Sequence, residues 1–337
     1  MAFNVLSCDG GGIRGYMTAR IIEALNSKTS GKLLSEVDGL FGTSTGGLVS
    51  VGLAVGVTPE TLRQIYRDQA GTIFTPNSIF DDSLEGGPGI FECQYVATGL
   101  YDVMHPHTQD KTFGEIFGDK LLCVNTAQLQ DTALPHPRWQ PRTLNNRGIE
   151  TPWTVKLIDA ALATSAAPTY FPPHLIDGLG YFADGGTFAN NPLLNGIEVA
   201  RRANLIKDIA QVGAISIGTG IDQTGIPAAD VPSALDWGAL AWMRPREASS
   251  AIPSTALLNM SLALSADNIS TLAAGLMGNN VIRLDPVLDT PVPLDGYTTS
   301  DFTVMDNAVD ALITTQAFDD AVNAVLAWQK TPMETSE

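Results

Sequence analysis

Short apolar runs alternate with longer stretches of helical periodicity through most of this chain. Phe3-Asn4-Val5-Leu6-Ser7-Cys8 reads as a short buried strand, stopped by Gly10-Gly11-Gly12 and followed by a helical pattern through Ile21, Ile22 and Leu25. Leu40-Phe41-Gly42 predicts a second strand that runs into Thr43-Ser44-Thr45-Gly46-Gly47. Leu48 to Val55 is then so uniformly apolar that a helix there must be buried on all sides. A further helix is predicted to begin at Thr58, with Pro59 in the first turn, where its missing N–H is tolerated. Downstream, strands are expected at Leu121 to Asn125, Tyr181 to Ala183 and Val212 to Ile217. Helices are expected at Val155 to Ala163, from Asn191-Pro192 through Ala203, and around 233–243, 254–275 and 302–329. Two long polar stretches, about Thr75 to His107 and Gln130 to Pro152, interrupt the pattern, and the first is a candidate lid or rim. Strands alternating with helices predict an α/β fold with a mostly parallel central sheet covered on both faces. No internal repeat or heptad seam is visible.

A chain of 337 residues with 44% hydrophobic content can bury a large core, and one domain is expected over 1–330, with 331–337 as a tail. Its 36 acidic and 19 basic residues give a net charge of −17, which repels phosphate backbones, so nucleic acid is not an expected partner. Contact with a membrane would have to come from local apolar loops or a small basic patch. Cys8, Cys93 and Cys123 are odd in number and lack metal or redox spacing, so they fit a reducing compartment and read as small buried hydrophobes. Val5-Leu6-Ser7-Cys8 resembles a lipoprotein cleavage box only superficially, since no basic residue and no adequate apolar stretch precede it. With no signal peptide and no run of transmembrane length in view, a cytoplasmic protein, soluble or peripheral to a membrane, is expected.

Three motifs carry chemistry. Gly42-Thr43-Ser44-Thr45-Gly46 has the Gly-x-Ser-x-Gly form that lifts a serine hydroxyl clear of a sheet, although alone it is equally a packing turn. The N–H of Thr45, at the start of the helix that follows, could donate to an oxyanion. Asp9-Gly10-Gly11-Gly12-Ile13-Arg14-Gly15 offers backbone N–H groups to an anion. It also matches the dinucleotide fingerprint, which would require an acid near the end of the second strand, whereas Asp38 lies at its beginning. Asp184-Gly185-Gly186 is the third motif, and by itself it is most simply a turn. In the usual hydrolase order a histidine follows the acid, yet the last histidine is His174. His105, His107, His136 and His174 all lie in proline-rich segments read as turns, and the His105-x-His107 pair lacks the neighbours of a metal site. A Ser44–Asp184 dyad remains, in which Asp184 would need partial desolvation to gain basicity.

The chain resembles the patatin-like phospholipases. The resemblance rests on Asp9 to Gly15, Gly42 to Gly47, Ala163-Thr164-Ser165-Ala166-Ala167-Pro168-Thr169-Tyr170-Phe171-Pro172 and Asp184 to Pro192. Ser216-Ile217-Gly218-Thr219-Gly220 also looks like the family, so the likeness covers about residues 3 to 220, and no motif matches from about 225 onward. It implies a three-layer α/β/α fold and hydrolysis of phospholipids or other acyl lipids without metal or cofactor. It also implies a Ser44–Asp184 dyad and an oxyanion hole on the Gly10-Gly11-Gly12 backbone. Asp9, Arg14, Gly15, Gly42, Gly46, Gly185 and Gly186 are the supporting positions. A lipid-binding storage or interaction protein with the same fold, and an acyltransferase using the same acyl-enzyme, are the competing readings.

Overall fold

The computed structural model describes residues 2–77, 89, 92–116, 118, 120–130, 136–221, 225–226, 231, 237–243 and 255–330. The chain opens with β1 (Phe3–Cys8), α1 (Gly15–Lys28), α2 (Lys32–Glu36), β2 (Gly39–Thr43), α3 (Thr45–Ala54), α4 (Pro59–Asp68), α5 (Ala70–Ile73) and α6 (Ala97–Thr108). Its middle contains β3 (Leu121–Gln128), β4 (Gln140–Asn145), α7 (Leu157–Thr164), β5 (His174–Ile176), β6 (Gly180–Asp184), α8 (Gly186–Ala189), α9 (Leu193–Arg202) and β7 (Val212–Ile217). α10 (Ala239–Met243), α11 (Ala256–Met277), β8 (Val281–Leu284), α12 (Thr299–Leu312) and α13 (Gln316–Ala327) complete the described elements.

The strands form one sheet in the order β5-β6-β3-β2-β1-β7-β8, with β4 beside β3. Pairing is parallel from β3 through β2, β1 and β7 to β8, and antiparallel where β3 meets β4 and β6 and where β6 meets β5. Successive side chains point to opposite faces of a strand, and the core divides accordingly. Leu6, Leu40, Leu122 and Val124 face the larger cluster, with Met17, Ile21 and Val49 among the helical residues there. Phe3, Val5, Phe41, Leu121 and Cys123 face a smaller cluster with Leu193, Ile197 and Met277. The fold is therefore a three-layer α/β/α sandwich around a mostly parallel sheet.

Several elements depart from the sequence expectation. α6 occupies the end of the first polar stretch and places His105 and His107 in its last turn, so these are helical residues rather than turn residues. β4 lies in the second polar stretch, β3 continues past Asn125 to Gln128, and the short strands β5 and β8 were not foreseen. The helix expected over 302–329 is two helices, because the Thr315 hydroxyl accepts the N–H of Phe318 at 3.3 Å and starts α13 afresh. Cys8 and Cys123 are buried as expected, whereas Cys93 is half-buried. The first half of the helix expected at 233–243, residues 78–88, 90 and 91 of the candidate lid, and the tail 331–337 lie outside the described residues. Among the described residues no helix is long and apolar enough to cross a membrane.

Candidate active site

Ser44 stands between the end of β2 and the start of α3 with φ 53° and ψ −125°. A side chain enters that region only when its surroundings enforce it. Two elements do so here. The N–H of Ser44 donates to the Thr164 hydroxyl at 2.8 Å, and that hydroxyl donates to the carbonyl of Asn125 at 2.6 Å, tying the elbow to α7 and β3. The flanking glycines allow the crossing: a Cβ on Gly42 would lie 2.2 Å from the Gly46 carbonyl oxygen, and one on Gly46 would lie 2.0 Å from that of Cys8. Gly15 serves the same purpose where α1 passes the elbow, since a Cβ there would lie 2.1 Å from the Thr45 hydroxyl.

Strand order brings Asp184 to this serine. Thr43 pairs with Asn125 on β3, and the next residue of β3, Thr126, pairs with Asp184 at the end of β6. Two residues 140 positions apart thus meet across a single strand. The Asp184 carboxylate is buried, and its Oδ1 accepts the N–H of Gly186 at 2.7 Å. Burial pushes its pKa up to about 7, opposed by hydrogen bonds from the Ser44 side chain and the Gly186 backbone. Removing water disfavours the carboxylate more than these donors restore it. Gly185 lies too close to the Asn125 carbonyl, 2.4 Å from an added Cβ, for any side chain.

The glycine loop closes the other side. Gly10 lies against Ser44, whose Cβ would be 3.0 Å from a Cβ added at Gly10. The Gly10 N–H, however, donates to the Asn190 carbonyl at 3.1 Å. Among the described residues the N–H groups of Gly11, Gly12 and Thr45 have no protein acceptor. Gly12 has a positive φ of 61° and packs on the Leu294 backbone, whose carbonyl accepts the Ile13 N–H at 2.7 Å. Arg14 folds back, its backbone N–H and Nε donating to the Gly11 carbonyl at 3.2 and 3.3 Å. Asp9 is buried and accepts from Arg283 Nη2 at 2.6 Å.

Gly11, Gly12, Ser44, Thr45 and Asp184 line an apolar cleft walled among others by Leu48, Ile73, Phe74, Leu100, Phe171 and Leu262. None of the four histidines lines it. His174 opens β5 with Nε2 3.0 Å from Asp159 Oδ1, and His105 stacks on Tyr101 at 4.8 Å between centroids. Asp38 is spent at the foot of the sheet, where it accepts the Asn4 N–H at 2.8 Å, far in the strand from any phosphate loop. A hydroxyl, a desolvated carboxylate and free N–H donors around an apolar slot are the parts of acyl transfer.

Four contributors escaped the sequence reading: Thr164, Asn190, Thr219 and Arg283. The first three sit inside the motifs without a chemical signature of their own. Arg283 had a signal: an arginine among branched aliphatics in Val281-Ile282-Arg283-Leu284 implies a paired, buried charge.

A family model described as patatin-like phospholipase matches residues 6–196. A cGAMP-activated phospholipase of Vibrio cholerae is 34% identical over 235 residues, 64% of this chain and 63% of that protein. One of the same description from Pseudomonas aeruginosa is 31% identical over 219 residues, 64% of this chain and 62% of its own. A protein of Solanum tuberosum described as probable inactive patatin-3-Kuras 1 is 29% identical over 271 residues, 72% of this chain and 68% of its own. The chain thus spans less than two thirds of the length of its bacterial relatives.

Proposed function

The chain belongs to the patatin-like phospholipase family, and on that footing we propose that it hydrolyses fatty acyl esters of phospholipids or other acyl lipids through an acyl-enzyme on Ser44. The observation that carries this reading is the buried Asp184 carboxylate lining the same apolar cleft as Ser44. Asp184 takes the hydroxyl proton as Ser44 Oγ bonds to the ester carbonyl carbon. The carbonyl oxygen becomes an oxyanion facing the N–H groups of Gly11, Gly12 and Thr45, while Gly10, already donating to Asn190, shapes the loop instead. Collapse expels the alcohol, which takes the proton from Asp184. Water then attacks the acyl-enzyme, gives a proton to Asp184, and the proton returns to Ser44 as the fatty acid leaves. Each oxyanion donor supplies about 3 kcal/mol to such a step.

The test is fatty acid release from phosphatidylcholine and from a short acyl ester in the presence of chelator. Wild type releases product and Ser44→Ala does not; equal rates would remove the proposed nucleophile. The shared description of the bacterial relatives favours a second layer, activation by cGAMP. The same assay reads it: cGAMP raises the wild-type rate, and an unchanged rate removes the activation without touching the dyad.

A further inference from the structure

The turn Gly218-Thr219-Gly220 at the end of β7 takes no part in the proton transfers above, yet it meets the glycine loop at one peptide unit. The Thr219 hydroxyl donates to the Gly10 carbonyl at 2.7 Å, and the Asn190 side-chain amide donates to the same oxygen at 3.1 Å. In a planar trans peptide the C=O and the following N–H point in opposite directions. Fixing the Gly10 oxygen therefore fixes the direction of the Gly11 N–H. We infer that Thr219 is a positioning residue whose hydroxyl, together with the Asn190 amide, locks the Gly10–Gly11 peptide so that the Gly11 N–H faces the oxyanion formed at Ser44.

The need for such a lock follows from the loop's composition. A Cβ on Gly10 would lie 2.2 Å from Asn190 Oδ1 and one on Gly11 2.2 Å from the Thr219 hydroxyl, so close packing demands glycine at both positions. A peptide flanked by two glycines meets little steric resistance to rotation. Flipped, it would aim a carbonyl oxygen at the developing negative charge instead of a donor. Packing thus removes the side chains that would have restrained the backbone, and hydrogen bonds from outside the loop restore the restraint. The next peptide is held in the same manner, with Arg14 on the Gly11 carbonyl.

Thr219 is itself braced. The Gly220 N–H donates to Asp285 Oδ1 at 3.0 Å, and Arg283 Nη2 joins Asp285 at 2.7 Å to Asp9 at 2.6 Å. One guanidinium therefore spans both chain segments that the Thr219–Gly10 bond connects.

This inference rests on the Ser44 acyl-enzyme reading, and the experiment separates the two. Thr219→Val keeps the shape and removes the donor, Thr219→Ser keeps the donor, and Thr219→Cys weakens it. With a short acyl ester, kcat for Thr219→Val falls about tenfold or more, KM stays within about twofold, and binding of a trifluoromethyl ketone, which forms an oxyanion on Ser44, weakens by the factor lost from kcat. Thr219→Ser retains most of the rate and Thr219→Cys falls between, so the series remains readable if the valine variant does not fold. A wild-type kcat in both Thr219→Val and Thr219→Cys overturns the inference. So does equal damage from serine and valine, or a rise in KM alone. Ser44→Ala is measured alongside: if it is inactive while the Thr219 series is unaffected, only the positioning role falls, and if it is fully active the acyl-enzyme reading falls first.

Discussion

Asp184 is under two demands of opposite sign. As the proposed base it must be ionised, and burial, which pushes its pKa up to about 7, disfavours that form. Activity should therefore rise with pH through about 7 and level off above it, with kcat/KM for a short ester growing close to tenfold per unit on the acid side. A profile flat from about pH 5 to 9 would refute the assignment of Asp184 as base. Stability runs the other way. The folded pKa lies above the ordinary value of about 3.9, so the folded state binds the proton more tightly than the unfolded chain does. That stabilisation is complete below about pH 4 and is lost as pH rises through about 7. Asp184→Asn keeps a neutral side chain at every pH, so its Tm should exceed that of wild type near pH 8, and the gap should close toward pH 4. Calorimetry across that range checks it.

At the scale of elements, what was legible in the sequence is the part governed by periodicity and punctuation. β1, β2, α3 and the start of α4 announce themselves through apolar runs, glycine turns and the Thr58-Pro59 cap, whose hydroxyl accepts the Thr61 N–H at 3.2 Å. The proposed Ser44–Asp184 pair could be picked out as well, because Ser44 directly follows a strand and Asp184 ends one, each beside glycines. β4 was hidden because Gln140-Pro141-Arg142-Thr143 looks like a loop: it is a peripheral strand whose polar residues tolerate half-exposure, and among the described strands it pairs only with β3. β8 was hidden by its arginine, which breaks a four-residue aliphatic run, and although that placement implies a paired charge, the run does not say that the partners are Asp9 and Asp285. The bracing of the glycine loop depends on those partners, which no local pattern in the loop displays. Arg283→Met should leave Asp9 buried without its cation and cost about 3–5 kcal/mol in urea unfolding. The double variant with Asp9→Asn should recover most of that loss. If the single and double variants were equally destabilised, β8 would be acting through packing rather than through the ion pair.

The whole molecule makes more use of the region after residue 220 than its lack of motifs suggests. Leu262 of α11 walls the cleft, the Leu294 carbonyl holds the N–H of Ile13, and Arg283 braces the glycine loop. Met305, Phe318 and Val325 of α12 and α13 are buried in the same core cluster as Leu6 and Ile13. Tyr16 and Arg20 of α1 both reach Asp306 of α12, at 2.7 and 2.8 Å. A sheet that ended at β7 would expose its edge, and α1 would lose the cover of α12 and α13. We therefore propose that residues up to about 330 fold as one cooperative unit rather than as a motif-bearing domain with an appendage. Two probes test it. In a background with Trp139, Trp153, Trp237 and Trp242 replaced by phenylalanine, Trp328, buried beyond the end of α13, reports the last elements by fluorescence, and far-UV circular dichroism reports all of them. In urea the two transitions should coincide, and a chain ending at Gly220 should show no cooperative transition because it lacks β8 and the cover that α12 and α13 give α1. Separate midpoints for the two probes, with a folded 1–220 fragment, would divide the molecule at that turn and leave Arg283 and Leu262 as contributions from a second domain.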